Sequence, residues 1–140
     1  MLKSLHSSLF AIVALTMFGV HTAEAAPGFP LAEHDRVVLL GDTFFERAQR
    51  YGWLETAVQL QFPEENIQLR NLGWSGDTVF AESRGIFDPP AKGYARMLEQ
   101  VRALKPTVIM LNYGGNEAFN GPDYIDTFIK QYVKLLNDLS

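Results

Sequence analysis

Apolar residues run without interruption over Val37-Val38-Leu39-Leu40, and Gly41 closes the run. A short continuous apolar stretch of this kind predicts a parallel strand covered on both faces, here 36–41. From Phe44 to Phe62 the apolar residues Leu54, Val58 and Phe62 recur at helical spacing until Pro63 stops them, and Gly52 offers a point at which to split the helix. Residues 66–72 alternate, with Ile67 and Leu69 on one side and Gln68 and Arg70 on the other, which predicts a half-exposed strand at the sheet edge. Residues 79–90 show no period and end in Pro89-Pro90, the mark of a loop. Met97, Leu98, Val101 and Leu104 then form one stripe of a helix over 94–104, closed by Lys105-Pro106. Thr107 to Leu111 reads as a third strand, apolar and β-branched at its start. Pro122 suits the first turn of a last helix, with Ile125, Phe128, Tyr132, Leu135, Leu136 and Leu139 as its apolar face.

Strand and helix thus alternate three times, the signature of an α/β fold with a parallel sheet between layers of helices. In such a sheet the carboxyl ends of the strands share one edge, where ligands bind. The turns at 41–46, 71–78 and 112–117 all fall there, and the site is expected among them.

Composition narrows the function. In 140 residues, 47% hydrophobic content with 12% aromatics suits a globular domain. Twelve Lys and Arg against sixteen Asp and Glu leave a net charge of −4, with no basic run, which argues against a nucleic-acid surface. The chain has no cysteine, so disulfides and thiolate metal sites are excluded. The carboxylates Asp42, Asp77 and Glu117 are spread over three turns without a second histidine nearby, so no metal or other cofactor is expected.

The first 25 residues read as a secretory signal peptide. Lys3 supplies the positive start, Leu9 to Val20 the apolar run of about a dozen residues, and Ala23-Glu24-Ala25 the small-x-small cleavage pattern. The run is shorter than the roughly 20 residues a membrane span needs. Residues 26–140 are then the folded part, secreted or periplasmic, with no membrane span after cleavage. His6 and His21 lie in the signal segment, which leaves His34 as the one histidine of the folded part.

Each strand-end turn has a functional and a bland reading. A hydroxyl at the start of a helix, as in Gly41-Asp42-Thr43-Phe44, is well placed for a nucleophile. Thr43 with Glu46 three residues on is equally the pattern of a capping box. Gly73 and Gly76 let the backbone approach a ligand, and a free amide there can hold an oxyanion; an ordinary tight turn is the alternative. Gly114, Gly115 and Asn116 offer a side-chain amide beside glycines, though Asn is common in turns. Trp74 reads as the wall of an acyl or sugar pocket or as packing. No GxGxxG or GxxxxGKS/T pattern follows a strand, which leaves phosphate binding unsupported.

Taken together, the three turns resemble the sequence blocks of the SGNH (GDSL-type) hydrolases, esterases with a flavodoxin-like fold. Gly41-Asp42-Thr43 resembles the first block, GDS. Asn71-Leu72-Gly73-Trp74-Ser75-Gly76-Asp77-Thr78 is similar to the second, NxGxSGDT, the most specific of the three. Tyr113-Gly114-Gly115-Asn116-Glu117 resembles the third, GxND. The likeness runs from about residue 36 to 139 and implies a three-layer αβα fold with strand order beginning 2-1-3. It implies Thr43 at the nucleophile position, with the Gly76 amide and the Asn116 side chain as oxyanion donors. Asp42, Trp74 and Gly114 would then line the substrate, a small-molecule or sugar ester.

Three positions depart from that pattern. Thr43 stands where the family has Ser, Glu117 where it has Asp, and the DxxH block that supplies the acid and the base is not present. His34 does not replace it, because six extended residues at about 3.3 Å each put it roughly 20 Å from Thr43, and a general base must act within about 3 Å. The chain is therefore expected to be the amino-terminal part of an esterase domain, holding about three of its strands, inactive alone, with an apolar third strand left at an edge. A non-catalytic module binding carbohydrate or another ligand is the competing expectation.

Overall fold

A computed structural model describes residues 31–86 and 88–140. The expected signal segment, 1–25, lies outside the described residues. Three strands, β1 (Arg36–Gly41), β2 (Gln68–Asn71) and β3 (Val108–Asn112), form a parallel sheet in the order β2-β1-β3. Val37 of β1 lies opposite Leu69 on one side and Val108 on the other, so β1 is the centre of the sheet. The α/β class agrees with the sequence pattern, and the 2-1-3 order with what the resemblance implies.

The apolar run in β1 reflects coverage of both its faces. Val38 and Leu40 point into one core with Val79, Met97, Val101 and Leu135, beneath the helices α3 (Pro90–Leu104) and α4 (Ile125–Leu139). Val37 and Leu39 point the other way, into a core with Leu31, Phe45 and Ile67. That second core is roofed by α1 (Thr43–Ala48) and α2 (Trp53–Gln61), with Leu54 and Val58 packed against it. Alternating residues of one strand thus serve two cores, each buried aliphatic side chain contributing about 1.5–3 kcal/mol. β2 alternates between exposed and half-buried positions, as expected of an edge.

Several boundaries differ from the sequence pattern for local reasons. The helical stretch 44–62 is two helices, parted at Gly52 as the sequence allowed, with Gly52 at φ 63° in the left-handed region. The segment read as loop, 79–90, contains a 3₁₀ turn at Glu82–Gly85. α3 begins at Pro90 rather than near Tyr94, since proline is tolerated in the first turn where no intrahelical N–H bond is needed. Pro122–Tyr124 forms a separate 3₁₀ turn, and α4 starts after it.

The expected apolar face of α4 needs correction. Leu135 is fully buried, and Phe128, Tyr132 and Leu139 pack beside it at i, i+4, i+7 and i+11. Ile125 and Leu136 belong instead to a neighbouring stripe with Ile129 and Val133, each about half exposed. Apolar residues cover more of the helix circumference than the sheet covers, so periodicity alone merged two stripes. No helix among the described residues is long and apolar enough to cross a membrane.

Candidate functional site

The three strand-end turns converge, and the hydrogen bonds that join them can be followed residue by residue. The first turn touches the third where the Asp42 amide donates to the Asn112 carbonyl at 3.0 Å. It touches the second where the Trp74 amide donates to the Gly41 carbonyl at 3.0 Å. The Asn71 side-chain amide donates to the Phe45 carbonyl at 2.7 Å, and its oxygen accepts from the Gly73 amide at 2.8 Å. Gly73 passes so close to α1 that an added Cβ would lie 2.3 Å from the Glu46 nitrogen. That closeness, rather than flexibility, is what glycine supplies at position 73.

Thr43 is the first residue of α1, and it is not the cap. Asp42 fills that position, its Oδ1 accepting from the Phe44 amide at 3.0 Å. The capping-box reading of Thr43 and Glu46 is therefore overturned. Asp42 is nearer the helix start in extended conformation and its carboxylate reaches the second amide of the helix. The Thr43 hydroxyl is left free to face the second turn, where Oγ1 accepts from the Gly76 amide at 2.8 Å. Gly76 has φ 70°, a left-handed conformation that favours glycine.

Asn116 joins the same locus from the third turn. Its Nδ2 donates to the Asp77 carbonyl at 2.7 Å, one residue beyond Gly76. An amide nitrogen carries two hydrogens, so one anchors the side chain and the second remains for another acceptor. Thr43, Gly76 and Asn116 are thereby brought together by sequence-distant turns. His34 is highly exposed beside Glu33 and precedes β1, at the opposite end of the sheet from Thr43.

The other residues expected to line a substrate occupy different surroundings. Asp42 is buried, its Oδ1 engaged in capping. Trp74 is partly exposed and lines a cavity of about 160 Å³ with Arg84, Ile86, Met97 and Gln100. Gly114 lines a second, more open cavity of about 290 Å³ with Tyr124, Ile125 and Phe128. The two do not share one pocket.

Two buried charged residues tie the turns together; the sequence reading named Glu117 only as a departure from the third block and did not single out Arg84. Glu117 spans two turns, its Oε1 accepting from the Val79 amide at 2.7 Å and its Oε2 from the Gly114 amide at 2.9 Å. Arg84, from the 3₁₀ turn, donates through Nε to Asp77 Oδ2 at 2.6 Å and through Nη2 to the Leu72 carbonyl at 2.6 Å. Its guanidinium also lies over the Trp74 ring, 5.7 Å from the centroid. Burial raises the Asp77 carboxyl above the usual range even though the Arg84 charge pulls it down. Burial, and then the Asp77 charge, lift the Tyr113 phenol, whose hydroxyl is 3.4 Å from Asp77 Oδ2. The only sequence signal for Arg84 was its place in an aperiodic segment soon after the SGDT run, and nothing local told it from a solvated arginine.

No family profile and no curated protein matches the chain. Among solved structures it is similar to an alpha/beta hydrolase enzyme from the metagenome of Lake Arreo, Spain, with 22% identity and a TM-score of 0.53 over 78% of this chain and 55% of that one. A gut microbial diltiazem-metabolizing enzyme aligns at 21% identity and a TM-score of 0.45, over 78% of this chain and 23% of the other. The chain thus spans about half the length of the first and about a quarter of the second. The likeness to the first supports the α/β fold.

Proposed function

We propose that this chain carries the nucleophile and oxyanion donors of a hydrolase acting on carboxylic esters, of the SGNH (GDSL) type. The observation that supports this reading is the 2.8 Å approach of the Gly76 amide to Thr43 Oγ1, with the Asn116 amide anchored at the next residue. When the Thr43 oxygen attacks an ester carbonyl, the carbonyl oxygen becomes an alkoxide held within a bond or two of that same hydroxyl. Donors already gathered around Thr43 are in place to receive it, without reorganisation at the moment of reaction. The Thr43 proton passes to a base, collapse of the tetrahedral intermediate expels the alcohol, and water then hydrolyses the acyl-threonine by the reverse route. His34 is not that base; the SGNH reading assigns that role to a DxxH block, which the resemblance implies. The substrate is a small-molecule or sugar ester, with Trp74 as a flat apolar wall. Residues 1–25, with the pattern of a secretory signal, support a secreted or periplasmic location.

Hydrolysis of p-nitrophenyl acetate by the 140-residue chain and by any longer version of it tests the proposal. Activity is expected in the longer form alone, with loss in Thr43→Ala. A longer form equally active after Thr43→Ala would overturn the nucleophile assignment. The second reading, a non-catalytic module that binds carbohydrate or another acylated ligand, is favoured by the position of His34. It predicts binding of acetylated oligosaccharides by calorimetry with no turnover in either form.

A further inference from the structure

Arg84 is a buried charged side chain that touches more than one turn of the candidate site, and its contacts have a pattern that packing alone does not require. Nη2 donates to the carbonyl of Leu72, the residue that leads into the second turn, and lies 3.5 Å from the carbonyl of Gly41, two residues before Thr43. Nε donates to Asp77, the residue after Gly76. Asp77 is in turn tied to the third turn twice, through its carbonyl to Asn116 and through its carboxylate to Tyr113. One planar guanidinium therefore fixes the first and second turns directly and the third through Asp77.

The arrangement is costly in ways that stability would not select. A buried ion pair seldom outdoes well-packed apolar residues of similar volume. Asp77 Oδ1 is buried and makes no hydrogen bond among the described residues, a loss of the kind that folded proteins rarely tolerate. Ala81, which leads into the 3₁₀ turn that delivers Arg84, adopts φ 56°, a left-handed conformation unfavourable for an L residue. What arginine offers in return is direction. Its donors project in a rigid fork, and neither a lysine nor an apolar residue can hold a carboxylate and a carbonyl at fixed mutual angles.

We propose that Arg84 is a positioning residue for the oxyanion turn, holding the Gly76 amide against the Thr43 hydroxyl through Asp77 and the carbonyls of Leu72 and Gly41. This role rests on the ester-hydrolase reading for its catalytic consequence, but its structural consequence can be read without it.

The full chain, labelled with ¹⁵N, is compared with Arg84→Met, Arg84→Lys and the exposed control Arg50→Met. Backbone and side-chain amide resonances are recorded beside far-UV circular dichroism and thermal unfolding. Arg84→Met is expected to keep the secondary structure while shifting the Gly76 backbone and Asn116 side-chain resonances and speeding exchange of the Gly76 amide. Arg84→Lys restores these in part, and Arg50→Met leaves them unmoved. In whichever form hydrolyses p-nitrophenyl acetate, Arg84→Met lowers kcat by about a hundredfold, the scale of one lost oxyanion donor, with KM little changed. If Arg84→Met does not fold, Arg84→Lys carries the same comparison. Folded Arg84 variants with Gly76 and Asn116 resonances in place would overturn the proposal, as would an equal effect on KM and kcat. Absence of esterase activity in every form would remove the hydrolase reading alone, because the resonance comparison decides the part played by Arg84.

Discussion

The Thr43 hydroxyl accepts a hydrogen bond from the Gly76 amide at 2.8 Å, across 33 positions of the chain. That bond defines the site more sharply than any local motif. It joins the start of α1 to a left-handed glycine in the next strand-end turn, and it exists because Asp42 has already taken the capping role.

Replacing Thr43 separates its two properties. Thr43→Val keeps the volume and removes the acceptor, and it is expected to lower stability by about 1 kcal/mol and to abolish any ester hydrolysis. Thr43→Ser keeps the oxygen and frees the rotamers, so hydrolysis should persist at a comparable or higher rate. Thermal unfolding of the 140-residue chain, and p-nitrophenyl acetate turnover by whichever longer form is active, measured on both variants, check the pair. Equal turnover by the Val and Ser forms would show that the hydroxyl takes no part.

Glu117 offers a test of how the second and third turns are held. Both of its oxygens accept backbone amides, so Glu117→Gln turns an NH₂ group toward one of those donors. A buried amide left without an acceptor costs about 1–3 kcal/mol. Urea unfolding should show the midpoint lowered by that free energy divided by the m-value, with the m-value itself unchanged. An unperturbed midpoint would mean that the two amides find other partners.

The two stripes of α4 predict opposite results at adjacent residues. Leu135 is completely buried and Leu136 is 45% exposed. Leu135→Ala should cost about 2–5 kcal/mol through lost burial and the cavity left behind. Leu136→Ala should stay within about 0.5 kcal/mol. The comparison is made by denaturant unfolding, and similar losses at both positions would mean that the Leu136 stripe is covered in solution.

Asp138 joins α4 to α3 and gives a pH dependence of known sign. The hydrogen bond from Lys134, and next the one from the Tyr94 hydroxyl at 2.7 Å, hold its carboxyl below the usual range. A carboxyl depressed in the folded state stabilises above its unfolded value, and the gain disappears as the pH falls through the folded one. Asp138→Asn should therefore unfold at lower temperature than the native chain near neutral pH. The gap should close as the pH drops below about 3.9, the ordinary aspartate value. A gap that persists unchanged in acid would show that the charge contributes nothing.

Much of the framework was legible in the sequence because it follows from local regularities. The uninterrupted run of β1, the alternation of β2 and the stripe of α3 each reflect how one element meets its nearest layer, and a repeat of two or of about 3.6 residues records that. The order of the three turns was likewise readable, since parallel strands place their carboxyl ends on one edge. Tertiary structure decided the rest. Which side chain caps α1, whether Thr43 turns inward or toward Gly76, which stripe of α4 meets the sheet, and why Arg84 and Glu117 are buried all depend on partners that lie dozens of residues away. Hydrogen-bond partnership at that range leaves no periodic trace, because a donor and its acceptor are matched by where two turns come to rest rather than by their spacing along the chain.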